Sequence, residues 1–329
     1  MLARWRSWSR RRPLWALLVR RSAIGLVTLW AASLLVFLGT QVLPGNAAYA
    51  ILGHTTTPAR LHAVELQLGL TRSVPAQYWQ WLSGVLSGHL GSSLANGQAV
   101  GSLVGPRLAN SAFLVIVSGL IGTVIAVALG VLSAARRGGW LDHTVAVLAL
   151  AATSLPEFVV GIGVVIVLAT NVLHLFPGVA VLDPGQYAWE RPRLVVLPVL
   201  TLVIIIVPYI LRMSRAAMIE ALESDFVEMG RLKGVPQRRL LLRYALPSAT
   251  PPTIQVVGLT FLYLAGGIVI VEDVFAFPGV GQGLVNAVTD RDVPVIQFIV
   301  VVLATFYVMV NILTDVIALA ASPRRRAPR

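Results

Sequence analysis

The chain of 329 residues contains no cysteine, one lysine and only 14 acidic side chains, and each shortage closes off a chemistry. Without cysteine there are no disulfides and no thiolate metal sites. The lone Lys233 follows Leu232, so the Gly-Lys-Ser/Thr end of a phosphate-binding loop occurs nowhere. Five histidines stand singly at 54, 62, 89, 143 and 174, with no pair at ligand spacing. Neither a Gly-x-Ser-x-Gly elbow nor a His-Glu-x-x-His zinc pair is present, and no covalent chemistry is expected. No catalytic, metal-binding or cofactor-binding residue is assigned.

What is abundant is apolar surface. Hydrophobic residues make up 57% and charged residues 12%, against about a quarter charged in a soluble domain. The composition is that of an all-α, polytopic membrane protein. An apolar helix needs roughly 20 residues to cross the hydrocarbon core. Six segments qualify in whole or large part: 14–43, 111–135, 141–173, 194–213, 253–271 and 294–319. They predict one membrane domain, residues 1–329, with six spans. The first run follows Arg10-Arg11-Arg12 and precedes Ala48-Tyr49-Ala50, which imitates a signal peptide. It is too long for a signal core and reads as an uncleaved span.

The net charge of +12 suggests nucleic acid until its placement is considered. With a cytoplasmic N-terminus, residues 1–21, 136–141, 212–250 and 320–329 lie inside and carry 7, 2, 7 and 4 of the 26 Lys and Arg. Arg60, Arg72, Arg107, Arg191, Arg193 and Arg291 fall outside. That asymmetry follows the positive-inside rule and puts both termini in the cytoplasm. Basicity then accounts for orientation beside membrane lipid, and no nucleic-acid partner is expected. The layout is a basic tail 1–13, an external segment 44–110, a cytoplasmic loop 214–250 and a cytoplasmic tail 320–329.

The loop 214–250 holds the strongest motif. Glu228 stands six residues before Gly234, nine residues separate Gly234 from Tyr244, and Leu246-Pro247 closes the run. A helix over about 217–233 is expected to lie along the membrane surface, Gly234 to relax a turn, and Pro236 to open a second short helix. Pro247, Pro251 and Pro252 are expected to break the chain before it re-enters the bilayer. Such a knob suits a socket on a soluble partner. The alternative is an ordinary solvated loop whose basic residues only hold it inside.

This spacing resembles the EAA motif of ABC importer permeases: Glu-Ala-Ala, three residues, Gly, nine residues, a hydrophobic residue, one residue, Leu-Pro. Met229 and Gly230 stand at the alanine positions. Leu43-Pro44-Gly45-Asn46, Leu68-Gly69-Leu70, Gln77-Tyr78 and Gly88-His89-Leu90-Gly91-Ser92-Ser93 are similar to the first external region of dipeptide, oligopeptide and nickel importer permeases. Val271-Glu272-Asp273-Val274-Phe275, Phe277-Pro278-Gly279-Val280-Gly281 and Arg291-Asp292-Val293-Pro294 resemble that subfamily's stretch between the last two spans. The likeness covers nearly the whole chain. Two departures are Asn46, where Asp is common, and the tail Ala321-Ser322-Pro323-Arg324, which lacks the usual Asp before Pro-Arg.

The resemblance implies a type I importer permease fold in a bacterial inner membrane. It implies a second homologous permease, two cytoplasmic ATPases that carry ATP and Mg, and an external solute-binding protein. The implied cargo is a short peptide, with nickel or another small solute as the alternative. Glu228, Gly230, Arg231, Gly234, Val235, Arg238, Arg239, Leu246 and Pro247 would form the surface that couples to the ATPases.

Other features leave alternatives open. Gly279-Val280-Gly281-Gln282-Gly283 reads as a tight turn, since no βαβ context supports a nucleotide loop. Gln77 to Leu82 with Leu86 forms an amphipathic stretch, either a surface helix or a platform for a binding protein. Pro156 is expected to kink the third span, and Glu157 beside it either lines a passage or gate or hydrogen-bonds a neighbouring helix. Glu272 and Asp273 end the fifth span at the external mouth, where they meet cationic substrate groups or simply cap the chain. Asn311 and Asp315, one helical turn apart, read as interhelical glue. A rival class is an ion-coupled transporter with Glu157 and Asp315 as relays, though no inverted repeat is evident.

Overall fold

The computed structural model describes residues 13–42, 57, 59, 62, 66, 71–170, 173–183 and 185–321. Arg10-Arg11-Arg12, the stretch 43–50, Leu68-Gly69-Leu70 and the tail from Ser322 lie outside the described residues. The described chain runs through α1 (Pro13–Val42), α2 (Val74–Leu86), α3 (Val100–Ala135), α4 (Trp140–Ser154) and α5 (Glu157–Val165). It continues through α6 (Pro192–Leu222), α7 (Asp225–Leu232), α8 (Gln237–Val274), α9 (Val280–Thr289) and α10 (Val293–Ala321). Among the described residues α1, α3, α6, α8 and α10 are long and apolar enough to cross a membrane. A sixth crossing results if α4 and α5 count as one.

Local chemistry moved several boundaries away from the sequence expectation. The third span, expected as one run over 141–173, is broken: α4 and α5 meet at 105°. Pro156 lacks an N–H and holds Leu155 extended at ψ 133°, so helix cannot pass. The Pro156 carbonyl then accepts the Val160 amide at 3.2 Å and starts α5. The second span starts earlier than expected, at Val100, inside what was read as external segment. The helix expected over about 217–233 is two helices, because Ser224 adopts an extended backbone, its hydroxyl donates to the Ala221 carbonyl, and its carbonyl receives the Glu228 amide. The prolines at 247, 251 and 252 do not break the chain: α8 runs unbroken from Gln237, with a π-helical stretch at Leu240–Ala245 just ahead of them. Such local unwinding is one way a membrane helix accommodates missing N–H groups. The glycines 279–283 are no tight turn, since α9 begins at Val280.

Packing divides the chain into two compact units. The first is Met1–Ser22, Ala112–Phe277 and Met309–Arg329. Its centre is α6, which buries Leu197, Leu202, Ile206, Ile210 and Met218. Glycine permits its closest approach to α3: a Cβ on Gly130 would lie 2.1 Å from Ser214 Oγ and 3.0 Å from the Leu211 carbonyl oxygen. Asp142 at the start of α4 is buried and accepts both Arg215 Nε at 2.6 Å and Arg215 Nη2 at 2.7 Å. The same carboxylate takes the Ser133 hydroxyl and the Gly138 amide, which ties α3, the loop, α4 and α6 at one point. Arg21 of α1 pairs with Asp315 of α10 at 2.5 Å, the interhelical tie expected of that residue.

The second unit is Ala23–Ser111 and Pro278–Val308. Here α2 tucks Tyr78 against α1, edge-on to Phe37 at 5.4 Å, with its hydroxyl 2.8 Å from Ser33 Oγ, while Trp79 faces outward. Two motif stretches far apart in sequence meet at buried Asp292, which receives the Ser93 hydroxyl and, at 3.1 Å, the Leu94 amide. The start of α9 is held on α3 by the Val280 amide donating to Ser111 Oγ at 2.8 Å.

Replacing Arg215 by Met strands the Asp142 carboxylate, and breaking such a buried pair costs about 3 kcal/mol. Thermal unfolding of the purified protein should show a lowered midpoint for Arg215→Met. Adding Asp142→Asn should raise the midpoint again, because it removes the stranded charge, and its one carbonyl oxygen can keep the Ser133 hydroxyl or the Gly138 amide but not both.

Candidate functional site

The knob is built from α7, the turn at Gly234 and the first turns of α8. Sequence chemistry explains its shape. Asp225 and Glu228 occupy the first turn of α7, where acids favour the positive end of the helix dipole, and Arg231 lies in the last. The helix stops at Gly234, whose φ of +76° is a left-handed conformation. The Val235 amide returns to the Gly230 carbonyl at 3.1 Å and the Gly234 amide to the Arg231 carbonyl at 3.0 Å, the paired bonds of a Schellman cap. Pro236 then caps the start of α8, which runs on through the membrane as one helix of 38 residues where a short helix was expected.

The inner face of the knob is fastened to the membrane helices. Val227, Leu240 and Ala245 are buried with Ala134, Ala217, Met218 and Ala221. Gly230 is buried where a Cβ would lie 2.8 Å from Leu240 Cδ2, so its small size brings α7 onto α8. Val235 and Leu246 are half-buried against the same cluster. The outer face carries Glu228, Arg231, Lys233, Arg238 and Arg239, all exposed, together with Gly234 and Pro247. Three apolar side chains share it: Phe226 is 47%, Met229 53% and Leu232 77% exposed. An apolar stripe at i, i+3 and i+6, rimmed by four basic residues, is what a firm socket on a partner needs and a merely solvated loop does not.

The residues expected along the passage separate. Pro156 and Glu157 sit at the break between α4 and α5, within the membrane-spanning pair. Glu157 Oε1 accepts the hydroxyl of Tyr263 from α8, and Glu157 Oε2 is shielded without a hydrogen-bond partner. A Cβ on Gly267 would lie 2.8 and 2.9 Å from the two carboxylate oxygens, so that glycine makes their space. The ring of Tyr209 from α6 stands 5.7 Å from that of Tyr263. The first turn of α5 offsets roughly 0.3–1 kcal/mol of negative charge, whereas an acid at bilayer depth costs about 2.5–3.5 kcal/mol. A charged Glu157 therefore calls for more than its helix provides. Glu272 is fully buried, while its neighbour Asp273 is exposed.

Sequence reasoning missed Tyr209, Tyr263 and the Asp142–Arg215 tie. Tyrosines inside a span instead of at its ends, where interfacial tyrosine is normal, were the available signal for the first two. An apolar cavity of about 510 Å³, lined by α3, α6, α8 and α10 and including Leu246, Thr253 and Phe261, also lies in the first unit.

Several apolar crossings and a braced knob standing off them fit a multi-pass membrane transport subunit. Comparison with known proteins agrees. Residues 126–327 match the binding-protein-dependent transport system inner membrane component family, and residues 14–113 match the N-terminal model of such membrane components. The chain belongs to this family, the permeases of bacterial ABC importers with the type I fold. It is 31% identical to a probable peptide ABC transporter permease of Sinorhizobium fredii, covering 94% of this chain and 98% of the relative. It is 32% identical to a glutathione transport system permease of Pectobacterium atrosepticum, over 92% and 96%. A putative peptide permease of Brucella suis is 35% identical, over 93% and 97%. The protein is thus a transport subunit of the bacterial inner membrane, not an enzyme, and works with ATPase subunits and a substrate-binding protein.

The left-handed Gly234 has open space around its Cα. Substitution there acts through the backbone, at about 1–2 kcal/mol for a residue that resists this conformation. Gly234→Val should reduce transport at least ten-fold with normal membrane levels of protein, whereas Gly234→Asn, which tolerates φ > 0, should stay within about three-fold. Uptake assays paired with quantitative blotting decide it.

Proposed function

We propose that the chain forms half of the translocation pathway of an ABC importer for short peptides, paired with a second, homologous permease. Two ATPase copies dock on the knobs of the two permeases, and an external binding protein delivers the cargo. The observation that carries this reading is the knob: its inner face is fixed in the helical core, and its exposed face joins Phe226, Met229 and Leu232 to Arg231, Lys233, Arg238 and Arg239. Peptide cargo is supported by the names of the relatives, which mention peptide and glutathione.

In this mechanism ATP-driven closure of the ATPases draws the knobs together. Glu228 steadies the first turn of α7 or meets the ATPase, Gly234 and Val235 lock the turn, and the arginines supply polar contacts. Gly230, Leu246 and Pro247 pass the movement to α8. The spans rock, and the pathway opens outward to take the cargo from the binding protein. Both termini and the 214–250 loop lie in the cytoplasm, as the distribution of Lys and Arg favours, and residues 1–329 act as one membrane domain. Pro156 and Glu157 border the pathway, with Asp273 at its external mouth and Glu272 holding the end of α8.

Subunit composition tests the assembly. Gentle purification through a tag on this chain, read by native mass spectrometry, should return one further permease and two ATPase copies. Recovery as a lone chain or homo-oligomer, under conditions that preserve a known importer, contradicts it.

A further inference from the structure

We propose that the Glu157 carboxylate, bonded by the Tyr263 hydroxyl with Tyr209 next to that tyrosine, is a binding site for the primary ammonium group of the cargo during passage. The inference rests on the peptide-importer reading and names the chemistry of one point on its path. Two other acidic groups of the first unit have cationic partners, Asp142 with Arg215 and Asp315 with Arg21. Glu157 has only a tyrosine hydroxyl on one oxygen, while the other oxygen is shielded from solvent and accepts nothing. That oxygen is packed beside Gly267, where a Cβ would come within 2.9 Å of it, so an ammonium reaches it by a turn of the carboxylate toward the exposed tyrosines.

The frame fits an ammonium ion. Aromatic faces attract a cation through their quadrupoles, and the attraction grows when water is excluded. Tyr209 and Tyr263 are tilted 46° to each other with centroids 5.7 Å apart, and both remain 43% exposed, so a ligand can reach the site from the surface of this unit. Tyr209 lies 13 residues before the end of α6 at Leu222, about 20 Å along the helix axis, so the site is well inside the span. An ammonium provides three donors, enough for the free carboxylate oxygen with two left for other acceptors. The site would hold the cargo weakly, since a passage must also release it.

The test uses the complete importer in liposomes with its binding protein. Two probes are fed at saturating binding protein: a lysine-free tripeptide with a free amino terminus, and an N-acetylated tripeptide carrying one lysine. Glu157→Gln should lower the maximal uptake rate at least ten-fold, with assembly and basal ATP hydrolysis unchanged. Loss with the first probe alone assigns the terminal ammonium, and loss with both assigns any primary ammonium; either supports the site. Wild-type uptake with an equally active Glu157→Gln overturns it and leaves the importer reading intact. Absence of any ATP-dependent peptide uptake by wild type overturns the peptide reading, and this one with it. Should Glu157→Gln fail to assemble, Tyr209→Leu decides, because Tyr209 is exposed and removable. An approximately five-fold slower uptake supports the site, and an unchanged rate overturns it.

Discussion

Lipid offers no hydrogen-bond partner to a peptide group, and the helical spans and the form of the break at Pro156 follow from that constraint. The spans must be helices, and wherever helix stops, the chain must supply its own partners. Among the described residues three breaks are furnished by the chain itself, two of them in the loop read as cytoplasmic. At Ser224 a hydroxyl closes one helix while the carbonyl opens the next. At Gly234 two amides turn back onto α7. At Pro156 the missing N–H is placed at a helix start, where none is needed. Two of these breaks shape the knob, and the third presents Glu157.

The proposed coupling draws on the asymmetry of the knob. Val227, Leu240 and Ala245 bind it to the helices that cross the membrane, so it cannot swivel independently. Its opposite face keeps apolar side chains exposed, which is costly unless a partner covers them. A soluble motor that grips this face therefore pulls on α8 and, through shared buried residues, on α6. The Asp142–Arg215 tie works in the same region by fixing the start of α4 to α6. Stiffness here matters more than net stability, since a slack joint would absorb the stroke.

Much of this was legible in the residue order. Long apolar runs announced the spans, and the Glu228 to Pro247 spacing announced the knob, down to the turn at Gly234 and the opening at Pro236. What escaped was set by contacts distant in sequence. The run through Pro247, Pro251 and Pro252 looked like a break, yet α8 continues through it behind a π-helical stretch. Apolar length alone could not distinguish a straight third span from one bent at Pro156 by 105°. Tyr263 stands 106 residues from Glu157 and Asp292 stands 199 from Ser93, so no local pattern paired them.

The claim at the centre of this account is that the outer face of α7 docks on an ATPase. The chain has no cysteine, so Leu232→Cys introduces a unique reactive thiol on that face. A short thiol-to-amine cross-linker applied to the assembled complex should join this chain to an ATPase subunit in high yield, and a control cysteine at exposed Trp79 should not. An intact complex in which Leu232→Cys gives no more ATPase adduct than the control would contradict the account.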